Sequence, residues 1–429
     1  MPKIIAGIDV GSSKIATIIA QYSPEEAKIN IIGSSSVPSS GIQKGQIVNI
    51  EEAVEGIISS VERAERMAGY SLSRVFISVG GAHIASQNSK GVVAVAEPEG
   101  EITSEDVKRV IEAARAVSLP SSREIIHCIP RFFTVDAQEG VKDPLGMSGV
   151  RLEVETHLIT GSSTAIKNLV KCVSEVGADV EGLVFGGIAA SEAVLTETEK
   201  ELGVVLVDIG GGTTKIVIFL EGAPAYTSVL PIGARNVTND LAIGLSLSIE
   251  AAEKLKIYLS EKKKETVLPR EDEKEKKDLD EINLWEIGIE GEGKTVSRKT
   301  LVEGIIKPRL NEIFTMVGLE IKKSGFGGMT PSGLVLTGGG ALTVGVIDSV
   351  KRTLSMPVRI GSPSGVFGLV DDILSPIYAS LVGLVIYGVK SQGEETGRIS
   401  FEKISRITQK IPGEGIYRKL VSLLKKFLP

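Results

Sequence analysis

Two strand–turn–strand units that each present an aspartate, one in either half of the chain, predict an α/β protein made of two related halves closing on one nucleotide. The clearer unit is Val204 to Phe219, VVLVDIGGGTTKIVIF. A β-branched run leads into Asp208, then Gly210, Gly211, Gly212, Thr213, Thr214 and Lys215, after which a second apolar run returns. That is the pattern of a strand, a tight turn and a returning strand. Glycine removes the Cβ atoms that would hold a phosphate away from backbone N–H groups, the threonines add hydroxyl donors, and Asp208 supplies a carboxylate for a hydrated Mg²⁺. A glycine-rich hairpin turn is the competing reading of this stretch alone. Ile4 to Lys14, IIAGIDVGSSK, repeats the order with Asp9, Gly11, Ser12, Ser13 and Lys14. Neither lysine opens a helix as in a Walker loop, and no GxGxxG turn runs straight into a helix, so those two phosphate folds are not expected.

Composition agrees with that class. Only 4% of residues are aromatic while 48 are glycine, a balance suited to parallel or mixed sheets. The 429 residues exceed one ordinary core and imply two or more domains. A net charge of −6 gives no general reason to bind nucleic acid. Cys128 and Cys172 alone make neither a disulfide framework nor a zinc spacing. The first residues enter a strand without a basic and apolar leader, so the cytoplasm is the expected compartment. The longest apolar stretch, Ile377 to Val389, is short for a membrane span and reads as a buried helix.

Beyond the first turn, Lys28 to Val37 reads as a strand, Ile50 to Gly69 as an amphipathic helix with Ala53, Ile57, Val61 and Ala64 inward, and Ser73 to Val79 as a returning strand. This set resembles one half of the ribonuclease H-like fold used by actin-type ATPases. The chain then departs from it. From about His83 to His157 come a strand (Gly91 to Ala96), a helix capped by Ser104 (Glu105 to Val117), and strands around Ile125 to Val135 and Val150 to Thr160. They suffice for a small α+β module, read either as a stabilising insertion or, in preference, as an interaction surface.

Inside this module His127 to Gly161 reads HCIPRFFTVDAQEGVKDPLGMSGVRLEVETHLITG. The series resembles the bacterial cell-division family FtsA, actin homologues that tether the FtsZ ring. With both turns and the tail described below, the resemblance covers essentially the whole chain. It implies an actin-like duplicated ribonuclease H-like fold with these divisions: 1–82 and 162–198 as subdomain 1A, 83–161 as the inserted subdomain 1C, 199–235 and 331–370 as 2A, and 236–330 as 2B with a charged loop at 261–280. A connecting helix at 371–390, a linker at 391–412 and a membrane-targeting helix at 413–429 complete it. The insert is implied to contact the next protomer of a filament and later division proteins.

His127 and His157 are too dispersed for a metal site and read as packed or hydrogen-bonded strand residues. Ser163 to Gly177 is expected as a helix capped by Ser163, with Cys172 a small core residue. Val180 to Leu195 is similar to the actin family's first connecting element, a strand followed by a helix, in which Glu192 is either a water-positioning or metal-linked acid or a hinge-bonded glutamate. Ser248 caps IEAAEKLKIYLS, where Glu253 and Lys256 share a helix face. They are a surface ion pair or, as the likeness to DnaK-type chaperones and actin relatives implies, the residues that hold adenosine. The charge run from Glu261 to Asp280 carries no assigned chemistry.

Ser297 to Lys322 is expected as a long helix broken at Pro308. The family receives the FtsZ C-terminal tail on this part of the second half, and Arg298, in RKTL, is the candidate contact, with a solvated arginine as the other reading. Ser332 to Val346 gives a strand and a third glycine turn, whose Gly338, Gly339 and Gly340 would pass close to a purine or α-phosphate before a helix starting near Leu342. Asp371 to Gly388 is the second connecting helix, with Ala379 and Gly383 as its close-packing positions.

The tail Ile416 to Leu428 reads IYRKLVSLLKKFL. On a helical wheel Ile416, Tyr417, Leu420, Val421, Leu423, Leu424, Phe427 and Leu428 fill an arc of about 160°, and Arg418, Lys419, Ser422, Lys425 and Lys426 take the rest. An all-basic polar face after a polar leader favours a helix lying in an anionic membrane surface over a docked helix, and it is too short to span.

Taken with these features, the resemblance implies an ATP-binding actin-like cell-division protein on the cytoplasmic side of the membrane, with Mg²⁺ and ATP between the halves, self-associating into filaments and anchoring the FtsZ ring. Lys14 follows Asp9 by five positions whereas Lys215 follows Asp208 by seven, and no convincing general base is visible, so hydrolysis is expected to be slow or absent. A PilM-type pilus-assembly scaffold and a sugar-kinase-type enzyme are the alternatives. The kinase would need a catalytic aspartate aimed at an acceptor hydroxyl, and the scaffold an inner-membrane pilus peptide.

Overall fold

The computed structural model describes residues 2–96, 100–261, 280–289, 295–369 and 372–393. Residues 262–279 of the charge run and the whole tail 413–429 lie outside them, as does the linker after residue 393.

The chain opens with β1 (Lys3–Val10) and β2 (Lys14–Ser23), paired antiparallel from Lys3 opposite Tyr22 to Val10 opposite Ile15. Then come β3 (Lys28–Pro38), the minor pair β4 (Ile42–Gln43) and β5 (Gln46–Ile47), helix α1 (Ile50–Ala68) and β6 (Arg74–Val79). Helix α1 starts where the Asn49 side chain accepts the N–H groups of Glu51 and Glu52, and it stops at Gly69, whose φ of 64° an L side chain rarely adopts.

The insert consists of β7 (Ala85–Ala94), α2 (Ser104–Arg115), β8 (Arg123–Val135), β9 (Gln138–Val141) and β10 (Arg151–Ser162). Its strands lie in the order β7-β10-β8-β9 over a core of its own, with Ile102, Val110, Phe133, Leu152 and Val154 buried. Strand β7 begins at Ala85, earlier than expected, because its polar first half is paired along β10. Helix α2 is capped by Thr103 and not by Ser104, since Thr103 stands three residues before Asp106 and the two close a reciprocal capping box.

The chain returns through α3 (Ser163–Ser174), capped by Ser162 one residue before the expected Ser163, then β11 (Asp179–Phe185), α4 (Gly186–Val194) and α5 (Glu197–Leu202). The second half is β12 (Val204–Ile209), β13 (Thr214–Leu220), β14 (Ala223–Leu230), α6 (Ala234–Leu245), α7 (Ile249–Glu261), β15 (Glu281–Asn283), β16 (Thr295–Ser297), α8 (Arg298–Leu301) and α9 (Lys307–Ser324). The helix is not broken at Pro308. A π-turn over Val302–Ile306 joins α8 to α9, and this widened turn accommodates a proline that lacks an N–H to donate backwards. After β17 (Leu334–Thr337) the expected helix near Leu342 is only a 3-10 turn, because Gly345 takes a φ of 81° and α10 (Val346–Leu354) starts after it. Strands β18 (Val358–Ile360) and β19 (Phe367–Gly368) and helix α11 (Ala379–Gly393) follow.

The two main sheets, β11-β6-β1-β2-β3-β19 and β14-β13-β12-β17-β18, share one plan. In each, an aspartate-bearing strand pairs antiparallel with its successor and parallel with a later strand, β1 with β2 and β6, β12 with β13 and β17. The duplication expected from the two turns is therefore a duplication of the fold. Helices α4 and α11 cross between the halves, touching so closely that a Cβ on Gly383 would fall 1.7 Å from the Ala189 carbonyl oxygen.

Candidate nucleotide cleft

The tips of β1–β2, β12–β13 and β17 and one face of α7 enclose a cleft of about 700 Å³ between the halves. Both turns close in the same way, Gly11 N–H donating to the Lys14 carbonyl at 3.0 Å and Gly210 N–H to the Thr213 carbonyl at 2.9 Å. They also face each other. A Cβ on Gly211 would lie 2.9 Å from Ser13, and one on Gly212 would lie 2.8 Å from Ser12 Oγ, so these glycines admit the opposite turn as well as leaving backbone exposed. Ser12 Oγ accepts the Gly45 N–H at 2.8 Å.

Asp9 accepts a hydrogen bond from the Ser78 hydroxyl. Asp208 Oδ2 receives the Lys215 ammonium at 2.7 Å and lies 3.1 Å from Ser380 Oγ. Burial alone would lower the Lys215 pKa, but the charges of Asp208 and Asp9 and the hydrogen bond to Asp208 raise it above its ordinary value. Lys14 differs. Its buried ammonium has no hydrogen-bond partner among the described residues, and burial lowers its pKa to about 8 against the opposing pull of Asp9 and Asp208. Thr213 lines the cleft, but Thr214 does not, which corrects the expectation for that residue. Side chains alternate along a strand, so Lys215 faces the cleft while Thr214 is fully buried with its hydroxyl on the Ile232 carbonyl at 2.9 Å.

At the other end Glu253 and Lys256 form an ion pair of 2.7 Å that is itself part of the cleft wall. Thr238 fixes it, its hydroxyl donating to Glu253 at 2.5 Å and accepting from Lys256 at 2.9 Å. Around the pair Ile249, Ile257, Leu342 and Ile377 expose apolar side chains along the cleft. Gly338 and Gly340 are pressed against the end of β12, where a Cβ would come within 2.3 Å of Asp208 Oδ1 and of Ile209 Cγ2 respectively. Gly339 alone of the three has open room beside it, its nearest neighbour being Ile377 at 3.9 Å.

Other expected positions lie elsewhere. Glu192 does not line the cleft. It pairs with Lys390 of α11 and lies 3.6 Å from Lys200, so it fastens the crossing helices. Arg298 is half-buried and donates to the Leu259 carbonyl near the end of α7 at 2.8 Å, so it is not a fully solvated arginine. His127 Nε2 accepts the Phe185 N–H at 2.9 Å, and His157 sits between Asn88 and Thr227 at 2.7 and 3.0 Å. Burial, with the charges of Arg131 and His127, lowers the His157 pKa to about 3. Sequence reasoning missed Ser78, Arg235, Thr238 and Ser380, which line the cleft because of the fold and have no local signature.

The donors fit the phosphates of a nucleotide better than a fully protein-held metal. Among the described residues no group of three carboxylate, histidine or cysteine side chains could hold an ion, and one oxygen of Asp208 is already taken by Lys215. Mg²⁺ here would depend on phosphate and water oxygens.

Two duplicated α/β halves, crossed by paired helices and closing on such a cleft, define an actin-like protein. Solved structures with this fold include the PilM–PilN type IV pilus biogenesis complex (TM-score 0.58, 16% identity, covering 90% of this chain and 98% of that one). MreB5 of Spiroplasma citri bound to ADP also shares it (TM-score 0.51, 12% identity, 92% and 99%). Two family models match, "SHS2 domain inserted in FTSA" over residues 81–160 and "Cell division protein FtsA" over 205–383. The cell division protein FtsA of Pseudomonas aeruginosa is 38% identical over 392 residues, 91% of either chain, and that of Escherichia coli K12 is 35% identical over 432 residues, 99% of this chain and 98% of its own. The chain belongs to the FtsA family of cell-division proteins. The pilus scaffold and the sugar kinase are not favoured.

Proposed function

We propose that this FtsA-family protein binds ATP with Mg²⁺ in the cleft, polymerises on the inner face of the cytoplasmic membrane and anchors the FtsZ ring there, recruiting later division proteins. One observation carries the nucleotide assignment: two opposed turns rich in N–H and hydroxyl donors at one end, and an apolar wall holding the Glu253–Lys256 pair at the other. Triphosphate and purine call for those two environments. Gly11 to Lys14 and Gly210 to Thr213 hold phosphates, Asp9 and Asp208 organise water and metal, and Glu253, Lys256 and Gly338 to Gly340 frame adenosine. MreB5 of Spiroplasma citri, which shares the fold, is bound to ADP. With no general base identified, turnover is slow or absent.

Membrane attachment rests on the sequence of the tail, whose apolar and basic faces separate completely. Many weak tail contacts, multiplied along a filament, make a stable attachment. The inserted subdomain contacts the next protomer and later division proteins, and Arg298 lies on the part of the second half that receives the FtsZ C-terminal tail. The domain divisions expected from the sequence serve these separate roles.

The test is flotation of the purified protein with anionic liposomes, with and without Mg²⁺ and ATP, beside a form ending at Pro412 and one carrying Leu424→Asp with Phe427→Asp. Tail-dependent flotation, with ordered rows or filaments on the lipid by electron microscopy, is the expected result. Flotation of the altered tail would refute the attachment assignment. Nucleotide binding is read separately by calorimetry, where Asp208→Ala should abolish it and leave flotation intact.

A further inference from the structure

We propose that Lys215 is a built-in cation of the second phosphate turn, standing beside Asp208 where a divalent ion would otherwise be needed, so that the cleft retains nucleotide with little dependence on Mg²⁺. The inference rests on the nucleotide reading above and specifies how that site neutralises charge.

The pair is enclosed rather than incidental. Lys215 Nζ lies 2.7 Å from Asp208 Oδ2, with side-chain exposures of 12% and 5%. Space for the lysine is made by glycine at the start of α4, where a Cβ on Gly186 would lie 2.9 Å from Nζ and 3.0 Å from Cε. The carboxylate is confined from its other side as well, since a Cβ on Gly338 would lie 2.3 Å from Oδ1, and Ser380 Oγ approaches Oδ2 at 3.1 Å.

At the two turns the carboxylates and ammonium groups are then matched in number, with the Arg235 guanidinium also on the cleft wall. Asp9 and Asp208 bring two carboxylates, Lys14 and Lys215 two ammonium groups, and all four side chains line the cleft. Without Lys215 the Asp208 carboxylate would lose its 2.7 Å ion-pair partner and face the incoming phosphates uncompensated, and like charges at low dielectric repel strongly until a divalent ion intervenes. With Lys215 in place that repulsion is cancelled before any ion arrives. Mg²⁺ can accompany ATP into this site, but retention does not require it. If Lys215 were only a stabilising ion pair, its removal would lower stability and leave the metal dependence of binding unchanged.

The experiment measures ATP and ADP affinity of the full chain by calorimetry, in excess Mg²⁺ and in excess EDTA, for the wild type and for Lys215→Met. The wild-type Kd should change by less than about threefold on chelation, and that of Lys215→Met should rise by about tenfold or more. A wild-type loss of about tenfold or more on chelation overturns the proposal whether or not a variant folds. Equal metal dependence in the wild type and Lys215→Met does so as well. No binding by the wild type in either buffer would overturn the nucleotide reading itself, a pattern distinct from either.

Discussion

The ammonium of Lys14 lies 3.5 Å from the centroid of the Tyr378 ring. Lys14 opens β2 in the first half, and Tyr378 ends the turn that leads into α11, so this cation–π contact joins two distant parts of the chain at the cleft. Among the described residues the ammonium makes no hydrogen bond.

A pH dependence follows from that isolation. The Lys14 pKa is lowered to about 8, so the free protein loses this positive charge as pH rises through that value. Phosphate oxygens favour the charged form and raise the pKa on binding. ATP affinity should therefore fall above about pH 8, approaching tenfold per pH unit, and binding there should take up a proton. Calorimetry in two buffers of different ionisation enthalpy measures that uptake. Lys14→Met should bind more weakly and lack this pH dependence.

The crossing of α4 and α11 makes a stability prediction. A methyl group at Gly383 would collide with backbone at Ala189, which has no soft side chain to yield. Gly383→Ala should cost about 3 kcal/mol or prevent folding, measured by thermal or urea denaturation. Gly304→Ala is the control. Its Cβ meets nothing within 4 Å in the π-turn, and stability should stay level or rise by up to about 1 kcal/mol.

Acid should act through His157. Its folded pKa, lowered to about 3, lies below the unfolded value of 6.5, so only the unfolded chain takes up this proton between the two. The contribution of His157 to stability is complete above about pH 6.5 and is lost progressively as pH falls towards about 3. His157→Gln should remove that component from a series of denaturation curves measured across the window.

Thr238→Val tests the two ends of the cleft separately. Loss of the hydroxyl detaches the Glu253–Lys256 pair from its anchor on α6, while the phosphate turns are untouched. ATP affinity should fall by about tenfold and inorganic triphosphate affinity should not change. An equal loss for both ligands would place the purine elsewhere.

The parts of the fold legible in the sequence were those with a local cause. Asp9 and Asp208 each stand between a β-branched run and a glycine turn, and Ile57, Val61 and Ala64 repeat at the helical period. Non-local features were silent. Strand β19 pairs with β3 from more than three hundred residues away, and nothing near Ser380 announces that it reaches the cleft. Caps were misplaced by one residue where two hydroxyl residues are adjacent, Thr103 beside Ser104 and Ser162 beside Ser163, since only the reach of the side chain to an N–H chooses between them. Thr214 was misassigned because proximity in sequence to the glycines does not set which face of a strand a residue joins.

The insert leaves and rejoins the first half, yet Ser86 donates to the Thr227 carbonyl at 2.7 Å, Asn88 to the Ala225 carbonyl at 3.3 Å, and His157 meets the Thr227 hydroxyl. Two bodies joined only by crossing rods can pivot about them. A third attachment away from those rods removes that freedom, or turns with it. In this molecule any scissor-like rotation of one half on the other must either shear these hydrogen bonds or swing the insert as a lever arm. Its outer edge would then move further than the cleft it reports on.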